Sequence, residues 1–212
     1  MFFHRFTKKI FLVIFQIFLF VSVAYAVDDC LDYKIVPTIN LKQPQWQENI
    51  IQPLEHTDVL HGDVIATLVN EFEITGDITS IEDGFCVALK NIDATIGYSD
   101  FMVQIDISYQ KDTCEYNAIL QHEDEHIRAY LSVIEDNKEL FKKSIKSAAE
   151  SITPIFVKSE KDIESAVDEF HQQLQNHPDI ILLKQKIKAD EEIRNKYVDL
   201  NDTGKTLKQC LR

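Results

Sequence analysis

Two periodicities divide the chain. From Phe101 to Tyr109 the residues Phe101, Val103, Ile105, Ile107 and Tyr109 alternate with Met102, Gln104, Asp106 and Ser108. A period of two predicts a strand with one buried face. The preceding run, FCVALKNIDATIGY, is also rich in strand-forming residues, and Ser99 and Asp100 between the runs predict a hairpin turn. After Asp112 the chain reads as helix throughout. A first helix is expected from about Cys114 to Ile152, capped by Asp112 with Glu115 three residues later and ended by Pro154. A second covers about Phe156 to His177 and stops before Pro178. A third covers about Asp179 to Lys196, and a short segment ends near Cys210. Upstream, Val27 to about Thr57 is irregular apart from a short strand around Tyr33 to Val36, and Asp63 to Ile74 fits helix or strand. Sheet first and helices after predict an α+β domain: a small antiparallel sheet or hairpin against one long helix, followed by C-terminal helices.

The N-terminal apolar run is of another kind. Arg5, Lys8 and Lys9 precede a stretch from Ile10 to Val23 broken only by Gln16 and Ser22, and Ala24-Tyr25-Ala26 closes it with a small-x-small pattern. That is the layout of a cleavable signal peptide over residues 1–26. An uncleaved anchor is the alternative, but the run falls short of the about 20 apolar residues a span requires. Cys30 lacks the small residues ahead of it that lipidation wants. The expectation is an exported chain, periplasmic or secreted, with a single domain over residues 27–212. Removing the leader's three cations from the net charge of −13 on 212 residues leaves −16 on 186 residues. Such a surface repels phosphate backbones and anionic lipid, so neither nucleic acid nor membrane is an expected partner.

Four cysteines, an even number in an exported chain, suggest two disulfides, and their spacing fits no compact zinc finger. A hairpin turning near Ser99 would set Cys86 opposite about residue 112, by the geometry of facing strand pairs. That register predicts a Cys86–Cys114 bond and, by elimination, Cys30–Cys210.

The candidate chemistry lies in LQHEDEHIRAYL, where His122, Glu123 and His126 match H-E-x-x-H. Helical residues four apart share a face, so two imidazoles can grip one Zn2+ while Glu123 serves as general base toward a zinc-activated water. At roughly 100° per residue, His126 lies about 40° and Glu123 about 100° from His122. Ile119, Ile127, Tyr130, Ile134 and Phe141 fall in the same arc; Asp124, Glu125, Arg128, Ser132, Glu135 and Lys142 fall outside it. Three ionisable groups on a core-facing arc are costly unless compensated. A metal ion compensates them together; a set of individually satisfied core polar groups is the bland alternative.

These residues resemble the zincin metallopeptidases, and in particular a group of bacterial exported proteins described as secreted zinc-dependent proteases. The likeness is densest from Cys86 to about Leu131. Zincins commonly carry uncharged residues where this chain has Asp124 and Glu125, both on the projected solvent side. Ala129 and Ser132 stand where the metzincin form has Gly and His, which excludes that subgroup. The resemblance implies a peptidase acting on a peptide or protein substrate, with a third zinc ligand from a following helix. Glu160, Glu164, His171 and His177 are available there, and His56 and His61 upstream, but spacing selects none. The acids of IKADEEIRNKYVDLND read as a solvated helical face. A zinc-binding envelope protein without turnover, and a metal-free helical interaction module, are the alternatives from other classes.

Overall fold

The computed structural model describes residues 30–45, 50–56, 61–202 and 204–210; the expected leader lies outside them. The strands are β1 (Thr38–Lys42), β2 (Ile50–Leu54), β3 (Gly62–Ile81), β4 (Gly84–Asp106) and β5 (Ile155–Val157). The helices are α1 (Cys114–Ser151), α2 (Ile163–Gln175), α3 (Pro178–Asp202) and α4 (Lys205–Gln209). Strand and helix are both extensive, with the helices C-terminal, as an α+β reading requires. No helix among the described residues is long and apolar enough to cross a membrane.

Every other strand pairs with β4. The antiparallel sheet expected from sequence is corrected here. β2 runs parallel to β4, Ile50 facing Met102 and Leu54 facing Asp106, while β5 pairs antiparallel, Cys86 facing Phe156. Pro53 lacks an N–H and suits β2 to an edge. The hairpin is also displaced. β4 runs unbroken through Ser99 and Asp100, and the turn falls at Glu82 and Asp83, between β3 and β4. Polar residues at 99 and 100 were a misleading turn signal, because a long strand tolerates them where its pairing continues.

The alternation at Phe101, Val103 and Ile105 is realised, and all three are buried. It stops before Ile107, which is exposed, because Asp106 turns the chain. Its carboxylate accepts from Ser108 N–H at 2.7 Å and its carbonyl from Tyr109 N–H at 3.1 Å. The residues 33–36 form no strand; Leu31–Tyr33 is a short 3-10 turn instead.

Each chain segment belongs to one of two compact units. Of the described residues, the first comprises 30–38, Ile74–Ile92 and Ala149–Leu174. Its buried residues include Val87, Leu89 and Ile92 of β4 and Ala166, Phe170 and Leu174 of α2. A Cys30–Cys86 disulfide, Cα atoms 5.5 Å apart, closes it. The second comprises Ile39–Glu73, Asp93–Ala148 and Gln175–Arg212. Here Ile119, Ile127, Ile134 and Phe141 of α1 are buried, as the projection required, with Phe101, Val103 and Ile105 of β4 and Ile180, Leu183 and Ile187 of α3. Burial of each large side chain stabilises by about 1.5–3 kcal/mol. Tyr130 of α1 packs edge-on against Tyr98 of β4, ring centroids 5.2 Å apart.

The second unit holds a Cys114–Cys210 disulfide, Cα atoms again 5.5 Å apart. Both expected pairings, Cys86–Cys114 and Cys30–Cys210, are therefore replaced. Their premise was a reversal at Ser99. Without it, Cys86 stays near the start of β4 while Cys114 comes only after that strand has ended.

The helices also shift at their ends. Asp112 does not cap α1; it adopts a left-handed φ of 67°, and Thr113 Oγ1 accepts from Tyr116 N–H at 3.3 Å instead. The expected start of the second helix at Phe156 is taken by β5, and α2 begins at Ile163. α3 opens at Pro178, where a missing N–H costs nothing, and extends to Asp202 rather than Lys196.

Candidate metal centre

The site is built wholly within the second unit, on α1 and α3. One turn of α1 stacks His122 and His126, with ring centroids 4.8 Å apart and planes at 88°. Their Nε2 atoms are 3.2 Å apart. Asp199 of α3 completes a triangle, its Oδ1 lying 3.1 Å from His126 Nε2 and 3.5 Å from His122 Nε2. A tetrahedral ion with bonds of about 2.0–2.1 Å needs ligand atoms roughly 3.3–3.4 Å apart. The triangle has edges of that size.

The second nitrogens define the chemistry of this triangle. His126 Nδ1 lies 2.8 Å from Asn195 Oδ1, and Asn195 donates its amide to Glu191 O at 2.9 Å. Asn195 therefore presents an acceptor, and His126 carries its proton on Nδ1. His122 Nδ1 is buried, with Asp202 Oδ2 at 3.1 Å but no hydrogen bond of good geometry. The adjacent carboxylate favours a proton on Nδ1 there too. Both Nε2 lone pairs then converge on a carboxylate oxygen. Three such atoms at hydrogen-bond distance repel one another unless a proton or a metal ion sits among them; two imidazoles and a carboxylate are donors of the kind that hold zinc, and Asn195 and Asp202 stand where outer-shell partners would.

Glu123, next along α1, is only 3 % exposed. Burial, then the charges of Asp63 and Asp199, push its carboxyl pKa up to about 8. Its carboxyl makes no hydrogen bond or ion pair to any described residue. Gly62, the first residue of β3, permits this depth: a Cβ there would overlap Glu123 Oε1 and come within 2.7 Å of Ile119 Cγ2.

His122, Glu123, His126 and Asp199 line one cleft of about 430 Å³, whose walls also include Asp63, Tyr130 and Leu207. His61 lies on the same cleft, its Nδ1 2.8 Å from the Tyr109 hydroxyl. The remaining ligand candidates go elsewhere. His56 pairs with buried Asp106 at 2.7 Å, and His177 accepts from Asp179 N–H at 3.2 Å to open α3. Glu160, Glu164 and His171 belong to the first unit. Among the described residues, only His122, His126 and Asp199 form a three-residue cluster with metal-ligating geometry.

Asp199 was missed because the acids of α3 read as a solvated face, and Asp199 is indeed largely exposed, at 62 % of its side chain. A signal existed: Asn195, Asp199 and Asp202 are spaced four and three apart and share one helical face. Comparison with protein-family models, with characterised proteins and with solved structures returns no match.

Proposed function

We propose that this chain is a zinc-dependent peptidase in which His122, His126 and Asp199 hold the ion and Glu123 is the general base. The observation that carries the reading is the convergence of three lone-pair donors beside a buried carboxyl in one cleft. A bound zinc ion would supply a Lewis acid that lowers the pKa of water and polarises a carbonyl. Three protein donors leave one position of a tetrahedral shell for solvent or substrate, which favours turnover over a purely structural role.

The chain's own part is proton handling. Glu123, ionised, accepts a proton from the attacking water and returns it to the leaving amine nitrogen. A carboxyl that holds its proton more tightly than usual suits both steps near neutral pH. Choice of a peptide bond over other acyl bonds rests on the H-E-x-x-H motif. The two disulfides support action in an oxidising compartment.

The test is a comparison of wild type with Glu123→Gln. Both should retain about one zinc per chain by mass spectrometry, and only wild type should cleave a peptide library. Zinc bound with no cleavage by wild type would replace the peptidase with a non-catalytic metal protein. Absence of zinc from both would remove the site altogether.

A further inference from the structure

Among the described residues four carboxylates line the cleft (Asp63, Glu123, Asp199 and Asp202), and no lysine or arginine does. Three of them have a place in the reading above: Asp199 as ligand, Asp202 beside His122, Glu123 as base. Asp63 has none. It is half-buried on β3 next to Gly62, and its side chain makes no hydrogen bond or ion pair to any described residue. It stands close enough to Glu123 and Tyr130 for its charge to raise the pKa of both. With neutral imidazoles, Asp63, Asp199 and Asp202 exceed a dication in the triangle by one negative charge, before any charge on Glu123.

An acidic cluster alone is often only a solvated surface. Here it lines a built cavity of about 430 Å³, and one of its members, Glu123, is more than nine-tenths buried with no side-chain partner among the described residues. A half-buried carboxylate pays desolvation without recovering it until a cation arrives. A lined cleft of one charge sign also concentrates ligands of the other sign and rejects its own.

Resting on the peptidase reading, we propose that the cleft selects peptides with a cationic group next to the scissile bond, and that Asp63 is the residue that selects them. The cation is a lysine or arginine side chain or a free terminal amine; these present the same chemistry to a carboxylate.

Zinc-loaded Glu123→Gln protein binds fluorescent peptides without consuming them, so anisotropy can rank them. One series is N-acetylated and carries Lys, Ala or Glu at successive positions; a second carries Ala only, with a free amine. Lys or the free amine should bind roughly ten-fold tighter than acetylated Ala, and Glu weakest, as expected for charge complementarity at a partly buried site. The more effective series identifies which cation is read. The Lys preference should shrink as salt is raised. Adding Asp63→Asn should bring the Lys-to-Ala ratio close to one while zinc content and Ala-peptide binding stay unchanged.

Equal binding of Lys, Ala and Glu peptides would overturn the proposal and leave the peptidase standing if wild type still cleaves them. So would a preference that survives both Asp63→Asn and Asp63→Ser. If no peptide binds and none is cleaved, the peptidase reading and this inference fall together.

Discussion

At Gly62 a missing methyl group decides how deep Glu123 can sit. Because a Cβ would overlap Glu123 Oε1, Gly62→Ala must displace the carboxyl from its position beside the histidines. Displacements of about 1 Å in a reacting group can cost on the order of 100-fold. Gly62→Ala should lower kcat/KM by roughly that factor while zinc content stays at the wild-type level. Loss of zinc from the variant would show that Gly62 supports the ligands rather than the base. Asn195 offers a complementary case. It holds His126 through Nδ1 at 2.8 Å without touching the triangle, and outer-shell partners of this kind commonly tune metal affinity about 10–100-fold. Asn195→Ala should weaken zinc binding within that range in a chelator competition. An unchanged affinity would mean that His126 needs no orienting partner.

At the scale of elements, the position of Asp199, the proposed third ligand, depends on how α3 lies on α1. A polar seam fixes that contact. Asn137, 5 % exposed, donates its amide to Val133 O at 2.8 Å and to Asp190 Oδ2 at 2.9 Å. Arg194 donates to Ser132 Oγ at 2.5 Å and to Asp136 Oδ2 at 2.6 Å. Tyr98 of β4 also donates to Glu191 of α3. Asp136 is largely exposed and Arg194 half-buried, so their ion pair at the surface contributes little to stability. The buried Asn137 contributes more, since losing its amide removes two bonds and leaves a small void. Asn137→Ala should cost about 1–3 kcal/mol in denaturant unfolding and weaken zinc binding by loosening α3. A destabilised variant with unchanged zinc affinity would show that the position of Asp199 does not depend on this seam.

For the whole molecule, the disulfides and the charge carry the consequences. Cys114–Cys210 joins the first residue of α1 to the residue that follows α4, across 96 positions. In the chain-entropy view, closing a loop of that size stabilises by about 4–5 kcal/mol. It also tethers the segment that carries Asp199, Asp202 and Leu207 to the helix that carries the histidines. Non-reducing peptide mapping should recover Cys30–Cys86 and Cys114–Cys210 linked peptides. Replacing both Cys114 and Cys210 by Ser should lower stability and zinc affinity together. A Cys86–Cys114 peptide would instead restore the hairpin at Ser99. If the leader is cleaved as its layout suggests, exported protein should begin at Val27 by intact mass.

Sequence alone determined those features that depend on neighbours along the chain. Four-residue spacing put His122 and His126 on one face, and the apolar residues around them put that face and Glu123 inward, which burial of Ile119, Ile127 and Phe141 bears out. The alternation of Phe101, Val103 and Ile105 likewise marked the inner side of a strand. Tertiary structure alone decided what meets across distance. The pairing of Cys114 with Cys210, the parallel alignment of β2 on β4 and the arrival of Asp199 at two histidines more than seventy residues earlier depend on where the chain reverses. That reversal was misplaced by the polar pair at Ser99 and Asp100, whereas Glu82 and Asp83 make the turn. Local spacing specifies a face because backbone geometry is periodic; the partner of that face is settled only when strand registers and helix ends are fixed together, by burial summed over the whole unit.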